Sequence, residues 1–447
     1  MKYRQKNTED TESMKIENFL SMNMEITKLE IVNEVKRIEP EIIEKERILM
    51  EANDGCTLLS TLKWFDYFFK DNNYVLKDEV LLKILEIAQS EIEEISSISM
   101  SLIAKILCSN SSMVNFLYEH DIISLSLRYF PSKESFGILI NLSLIHSNSK
   151  LEIMKSGIYK QLKDMVDSFD YFILEAIQLI DALVYKIDED NYNAYYDEYL
   201  CLFNAILSHI ENKDDEMLFL VLRTIRDFID AKQCFLMHFI ESNQLPKILS
   251  LNTNDPLSIY QIIQIAKCIC IYAPKGYQYL LDNNILDWLS NALLNQDQTV
   301  LEKSFILLSS LIFEEENNVA NFCIDNSFHL IAISRIKEDK KLFLKKAIFQ
   351  FLLDLCNYAS SDYLIDLYHE GVFYILFENI SLSDEDNRIK IYDAFKQYRN
   401  IDTDENIEFL LSQMKENDDF MDWINEGFQS GNYDIANYTS QLFQEFS

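Results

Sequence analysis

Residues Ile153–Leu162 read I-M-K-S-G-I-Y-K-Q-L. An apolar stretch with helical spacing stops at Lys155-Ser156-Gly157, and a second one starts at Ile158, so only a tight turn fits between them. The same grammar recurs at residues 116–123 (FLYEHDII), 239–249 (FIESNQLPKIL), 280–289 (LLDNNILDWL), 323–331 (CIDNSFHLI) and 367–376 (LYHEGVFYIL). Gly157 and Gly371 stand where a helix ends in a left-handed residue, and Asn or Asp fills that place in the other copies.

Counted from the first apolar residue after each turn, the copies fall at Ile122, Ile158, a weaker instance near Tyr199, Leu245, Ile285, Phe328 and Val372, about 42 residues apart. That period belongs to armadillo and HEAT arrays, in which helical units stack to bury faces that none could bury alone. A short helix, a turn and a longer helix favour armadillo. The expected fold is an all-α, armadillo-repeat, right-handed superhelical solenoid over residues 46–447, preceded by a polar arm at residues 1–45.

Composition agrees. With 48% hydrophobic and 13% aromatic residues the chain can fill an extended core, while only 7 Gly and 5 Pro in 447 residues argue against turn-rich sandwiches, barrels and Gly-dependent phosphate loops. No run approaches the ~18–20 apolar residues of a membrane span, and the polar N-terminus has no signal-like apolar core, so a soluble protein of the cytoplasm and nucleus is expected, without membrane contact. The 8 cysteines are scattered through apolar stretches and read as reduced core thiols.

No catalytic or metal motif is present: there is no G-x-S-x-G, H-E-x-x-H or CxxC, and the 6 His are far apart. The expectation is no enzyme, no metal and no cofactor. No nucleic-acid partner is expected for a chain with 40 Lys+Arg against 73 Asp+Glu, a net charge of −33. Lys340-Lys341 and Lys345-Lys346 form the densest basic patch and read as a solvated helix end.

In register and arm the sequence resembles the importin alpha family of nuclear import adaptors. Each repeat of that family has a groove-lining helix of the form W-A-L-x-N-I a fixed interval before the turn. Here SLIAKIL, GILINLS, EAIQLIDAL, RTIRDF, QIAKCI and QFLLDL occupy that place. Arg4 and Lys6, then Asn23, Glu25 and Lys28, and finally Lys36 and Arg37 resemble the segment that binds importin beta, although residues 1–40 hold seven basic and eight acidic side chains. The family's groove tryptophan is replaced by Ser101, Gly137, Ile177, Arg223, Gln264, Ile306 and Gln350. Its asparagine is kept only at Asn141, with Asp181, Asp227 and Asp354 at three equivalent positions and Asp230 just beyond one of them.

The resemblance implies an adaptor that binds basic, nuclear-localisation-type segments of cargo proteins in a groove and engages importin beta. Acidity suits a basic peptide, and Asn141, Asp181, Asp227, Asp230 and Asp354 are the candidate groove residues. Loss of the tryptophan walls favours the alternative, an armadillo-repeat interaction scaffold that has left transport.

Overall fold

A computed structural model describes residues 39–445 apart from 73, 110–112, 213, 316 and 401–403. The arm residues Arg4, Lys6, Asn23, Glu25, Lys28, Lys36 and Arg37 lie outside the described residues. A helix covers 39–51, so the expected join between arm and solenoid at 45/46 falls inside a helix.

Every regular element among the described residues is helical. The chain divides into two compact units, residues 1–205 and 206–447. The first contains four long helices, α1 (Gly55–Asp71), α2 (Glu93–Ser109), α3 (Lys133–Ile145) and α4 (Ile173–Val184). The second contains α5 (Asp215–Ala231), α6 (Pro256–Tyr272), α7 (Gln298–Glu315), α8 (Leu342–Tyr358), α9 (Glu385–Arg399) and the last long helix, α10 (Tyr433–Glu445). Within each unit the long helices pack on one another in order: α1 on α2, α2 on α3 and α3 on α4, and likewise α5 on α6, α6 on α7, α7 on α8, α8 on α9 and α9 on α10.

Two shorter helices precede most long ones, for example Ser147–Lys155 and Tyr159–Asp167 before α4, Gly276–Asp282 and Ile285–Ala292 before α7, and Asn317–Asp325 and Phe328–Glu338 before α8. This is the three-helix armadillo-like repeat, and both units are solenoid segments built from it. The turn between the two short helices carries the left-handed residue that the sequence calls for. Gly157 and Gly371 have φ of 79° and 83°, and Asp121, Asn243 and Asn284 have φ of 60°, 52° and 60°. Ser327, at φ 61°, fills the place in the copy where no Gly, Asn or Asp was available at that position.

The apolar residue after each turn goes to the core. Ile122, Ile158, Tyr199, Leu245, Ile285, Phe328 and Val372 are all between 0% and 3% exposed. Tyr199 lies inside the helix Tyr196–Leu207, not after a turn, which accounts for its weaker pattern. Each such side chain contributes roughly 1.5–3 kcal/mol by leaving water.

Acidic clusters start helices. Asp188 accepts a hydrogen bond from the backbone N–H of Asn191 (2.7 Å), and Asp214 accepts one from Met217 (2.9 Å). Glu189 and Asp190, and Asp215 and Glu216, then occupy first helical turns, where unpaired N–H groups and the helix dipole favour carboxylates. Of the cysteines, Cys268, Cys270, Cys323 and Cys356 are buried, Cys201 and Cys234 are half-buried, and Cys56 and Cys108 are exposed. Among the described residues no helix is long and apolar enough to cross a membrane.

Two glycines separate backbone freedom from close packing. Gly371 has open space around its missing Cβ, whereas a Cβ on Gly276 would run into the backbone carbonyl of Ile269 on α6. Gly371→Ala should cost about 1 kcal/mol, the left-handed penalty of an L side chain. Gly276→Ala should cost about 1–3 kcal/mol because α6 and the next short helix must move apart. Chemical denaturation measures both, and a Gly276→Ala variant as stable as the parent would contradict this packing.

Candidate functional site: the long-helix faces

The sequence-derived candidate positions fall on consecutive long helices, at the same place in each. Their side chains have different fates in the two units.

In the first unit the position pairs are Ser101 and Lys105 on α2, Gly137 and Asn141 on α3, and Ile177 and Asp181 on α4. Ser101 Oγ donates to Asp66 Oδ1 of α1 at 2.7 Å, and Lys105 Nζ reaches Asp66 Oδ2 at 2.7 Å. Asn141 is half-buried. Its Nδ2 donates to the carbonyl of Gly137 (2.7 Å) and touches Cys108 Sγ at 3.0 Å. This amide thus ties its own helix to α2. Ile177 is fully buried and Asp181 is 4% exposed, so α4 turns this position into the core. Three and four residues beyond Asn141, Leu144 is 46% exposed and Ile145 is 45% exposed.

In the second unit the two substituted carboxylates are buried and neutralised by the chain's own cations. Asp227 on α5 is 7% exposed and accepts Arg226 Nε at 2.8 Å, while Arg226 Nη1 donates to Gln261 Oε1 of α6 at 3.1 Å. Asp354 on α8 is 2% exposed and accepts Gln350 Nε2 at 2.8 Å and Lys390 Nζ of α9 at 2.7 Å. Burial pushes the Asp354 carboxyl above its ordinary range, against the pull of Lys390 and Gln350. Asp230, at the end of α5, is exposed. At the equivalent position of α6 stands Cys268, whose thiol burial pushes up to about 12. On α7 it is Ser310, whose Oγ donates to the carbonyl of Ile306 at 3.0 Å.

What this face offers to solvent lies one turn further along. Ile271 is 40% exposed and Phe313 is 52% exposed, with the Phe313 ring 6.2 Å from that of Tyr358 in an edge-on arrangement. Beside Tyr358 a 340 Å³ hollow between α8 and α9 is lined by Asn357, Lys390, Asp393, Lys396, Gln397 and Asn400. Gln397 Nε2 donates to the carbonyl of Asn357 across it (3.2 Å), and burial raises the Asp393 carboxyl despite nearby Lys396. Amide, aromatic and aliphatic groups side by side suit an extended polypeptide, with its backbone hydrogen-bonding groups and alternating side chains.

Sequence reasoning placed the carboxylates and missed their partners. One signal was visible: Arg226 is the neighbour of Asp227. Lys390 lies 36 residues beyond Asp354, on the next repeat, and only stacking brings it near. The row of Ile271 and Phe313 sits three residues past the asparagine position and was legible once that position was fixed.

No family model matches the chain, and no curated protein matches it. Among solved structures, an engineered protein is similar over 90% of this chain and 98% of its own, with 10% identity and a TM-score of 0.65. A designed armadillo repeat protein in complex with the peptide (KR)4 is similar over 52% of this chain and 99% of its own, with 12% identity and a TM-score of 0.46. Likeness at these identities is one of fold, and it carries nothing specific to the importin alpha family.

The Asp354 environment gives a pH signature. A carboxyl whose folded pKa is raised costs the native chain stability as pH rises through that pKa, whereas an amide has no such dependence. Asp354→Asn should therefore be more stable than the parent at neutral pH, with Lys390 (30% exposed) turning to water. The gap should close as pH falls towards the ordinary carboxylate range. Urea denaturation of both chains at several pH values checks this, and a gap that widens on acidification would reverse the assignment.

Proposed function

We propose that the chain is a protein-interaction scaffold that carries out no reaction and binds an extended segment of a partner along the α6–α8 face of its second unit. The observation that supports this most is the exposed row of Ile271 and Phe313 beside the amide-lined hollow at Asn357 and Gln397. Nothing in the packing of the repeat requires large apolar side chains there, because the core side of the same helices is already filled by Ile265, Ile269, Phe305, Leu308 and Leu352. Binding would be purely non-covalent and would proceed in the cytoplasm or nucleus.

The adaptor reading, with basic cargo segments and importin beta as partners, is the second one. Exposed Asp230 and the net charge of −33 favour it. Burial and internal pairing of Asp227 and Asp354 leave fewer carboxylates for a lysine-rich peptide than the sequence suggested. The remaining attraction would be long-range and strongly screened by salt.

Two measurements separate these readings. In affinity purification with the tagged chain, Phe313→Ser combined with Ile271→Ser should reduce recovery of specific partners at least about tenfold without lowering the thermal midpoint, as expected for central apolar contacts. Equal recovery would place binding elsewhere. Titration of a fluorescent lysine-rich peptide beside a scrambled one should show no sequence preference at physiological salt, whereas selective binding together with recovery of importin beta would establish the adaptor.

A further inference from the structure

The second unit has a locally basic edge that its folding does not explain. Between the end of the helix Phe328–Glu338 and the second turn of α8 the sequence places Arg335, Lys337, Lys340, Lys341, Lys345 and Lys346, against only Glu338 and Asp339. Both acids are engaged: Glu338 accepts from Ser334 Oγ (3.0 Å), and Asp339 accepts from Gln298 Nε2 (2.8 Å) and from the backbone N–H of Lys341 (3.0 Å). Lys337, Lys340, Lys345 and Lys346 form no ion pair among the described residues. Exposed lysines such as Lys247 and Lys415 also stand without a carboxylate, so what distinguishes these four is that they are clustered.

Local helix chemistry also runs against them. Helices α5, α6 and α9 begin with an aspartate cap, Asp214, Asp255 or Asp384. Helix α8 begins at Lys341 with no side-chain cap and no acid in its first turn, and Lys345 and Lys346 follow near the positive end of the helix dipole. A helix start gains nothing from basic side chains.

Apolar surface accompanies the charge. Leu342 is 58% exposed and Phe343 is 39% exposed, with Lys341 Nζ 5.4 Å from the Phe343 ring. Between residues 293–296 and the preceding helix a 600 Å³ hollow is lined by Leu294, Leu330, Ile331, Arg335 and Glu338, with Leu294 67% exposed and Leu330 44% exposed. Lys337 stands two turns beyond Leu330 on the same helix.

We propose that this edge is a docking site for a short acidic protein segment that carries an apolar side chain, its carboxylates meeting Lys337, Lys340, Lys345 and Lys346 and its apolar group entering the hollow at Leu294 and Leu330. Charge complementarity selects the occupant. Fields are screened beyond roughly 8–10 Å, so a compact acidic segment feels the cluster, whereas a nucleic acid or an anionic membrane extends over the surrounding negative surface and is repelled. The site is separate from the α6–α8 face and takes the opposite charge class from a basic cargo peptide.

The test uses the full chain and a fluorescent twelve-residue probe of alternating Glu and Leu with one Phe, followed by anisotropy at low and physiological salt. The parent should bind it, and K340E/K345E/K346E should weaken binding at least about tenfold, while K247E/K415E, two exposed lysines elsewhere, should change it less than about threefold. L330S should also weaken binding at physiological salt, where the apolar contact remains after screening. Circular dichroism confirms that each variant is folded. Three results would overturn the proposal: no binding of the probe by the parent, equal losses in the patch and control variants, or binding of phosphatidylserine vesicles or single-stranded DNA with the same sensitivity to the patch. The basic-peptide titration of the α6–α8 face is independent of all three, so failure here is distinguishable from failure there.

Discussion

No repeat of this chain can hide its own apolar face, and everything else follows from that constraint. A repeat of about 42 residues supplies two short helices and one long one, too little to enclose a core, so within each unit each long helix must lie against the next. The turn between the short helices sets the geometry. A left-handed residue reverses the chain in one step, and the following side chain, Ile122, Ile158, Leu245, Ile285, Phe328 or Val372, drops into the interior between repeats. Where that turn is replaced by continuous helix around Tyr199, the aromatic ring is still buried, but the repeat grammar weakens. The division between the two units falls close by, at residues 205 and 206.

This constraint explains what was legible in the sequence. Period, helix order and core anchors are consequences of local turn chemistry and helical spacing, both of which a sequence displays directly. Gly157 and Gly371 announce left-handed backbone, and Ser327 does not, yet the period carried its repeat through. The candidate site was only half legible. Asp227 and Asp354 stand at the expected helical positions, but whether a carboxylate there faces a ligand or a neighbouring repeat depends on stacking. Lys390 and Gln261 are remote in sequence and adjacent in space. Acidic clusters at Asp188 and Asp214 begin helices, because free N–H groups at a helix start outcompete water for a well-placed carboxylate.

Net charge is therefore a poor guide to any one surface of this molecule. The −33 total is carried to a large extent by helix starts and connectors, while α5–α9 between them hold ten basic and eleven acidic side chains. The long-helix face of the second unit is close to neutral, and its most exposed large groups are apolar. A peptide approaching from solution meets an acidic protein at long range and an amide and aromatic surface at contact. Those two ranges select differently: the first biases encounter, the second fixes register and lifetime.

The polar side chains of that face have been turned to a structural use. In an array whose helices touch chiefly through aliphatic groups, sliding by one helical turn exchanges one Leu or Ile contact for another at small cost. The Lys390–Asp354 bond cannot slide, because a one-turn shift would leave the buried Asp354 carboxylate without its cation, a penalty of several kcal/mol. Sliding at Arg226–Gln261 would cost Arg226 a neutral acceptor and leave its pairing with Asp227 intact. Ser101 and Lys105 bonded to Asp66 make the same lock between α1 and α2. Side chains placed where a peptide-reading armadillo would spend its polar groups on a ligand here set the register of consecutive repeats. In the reading proposed above, recognition falls to the apolar row on one face and the lysine cluster on the other edge.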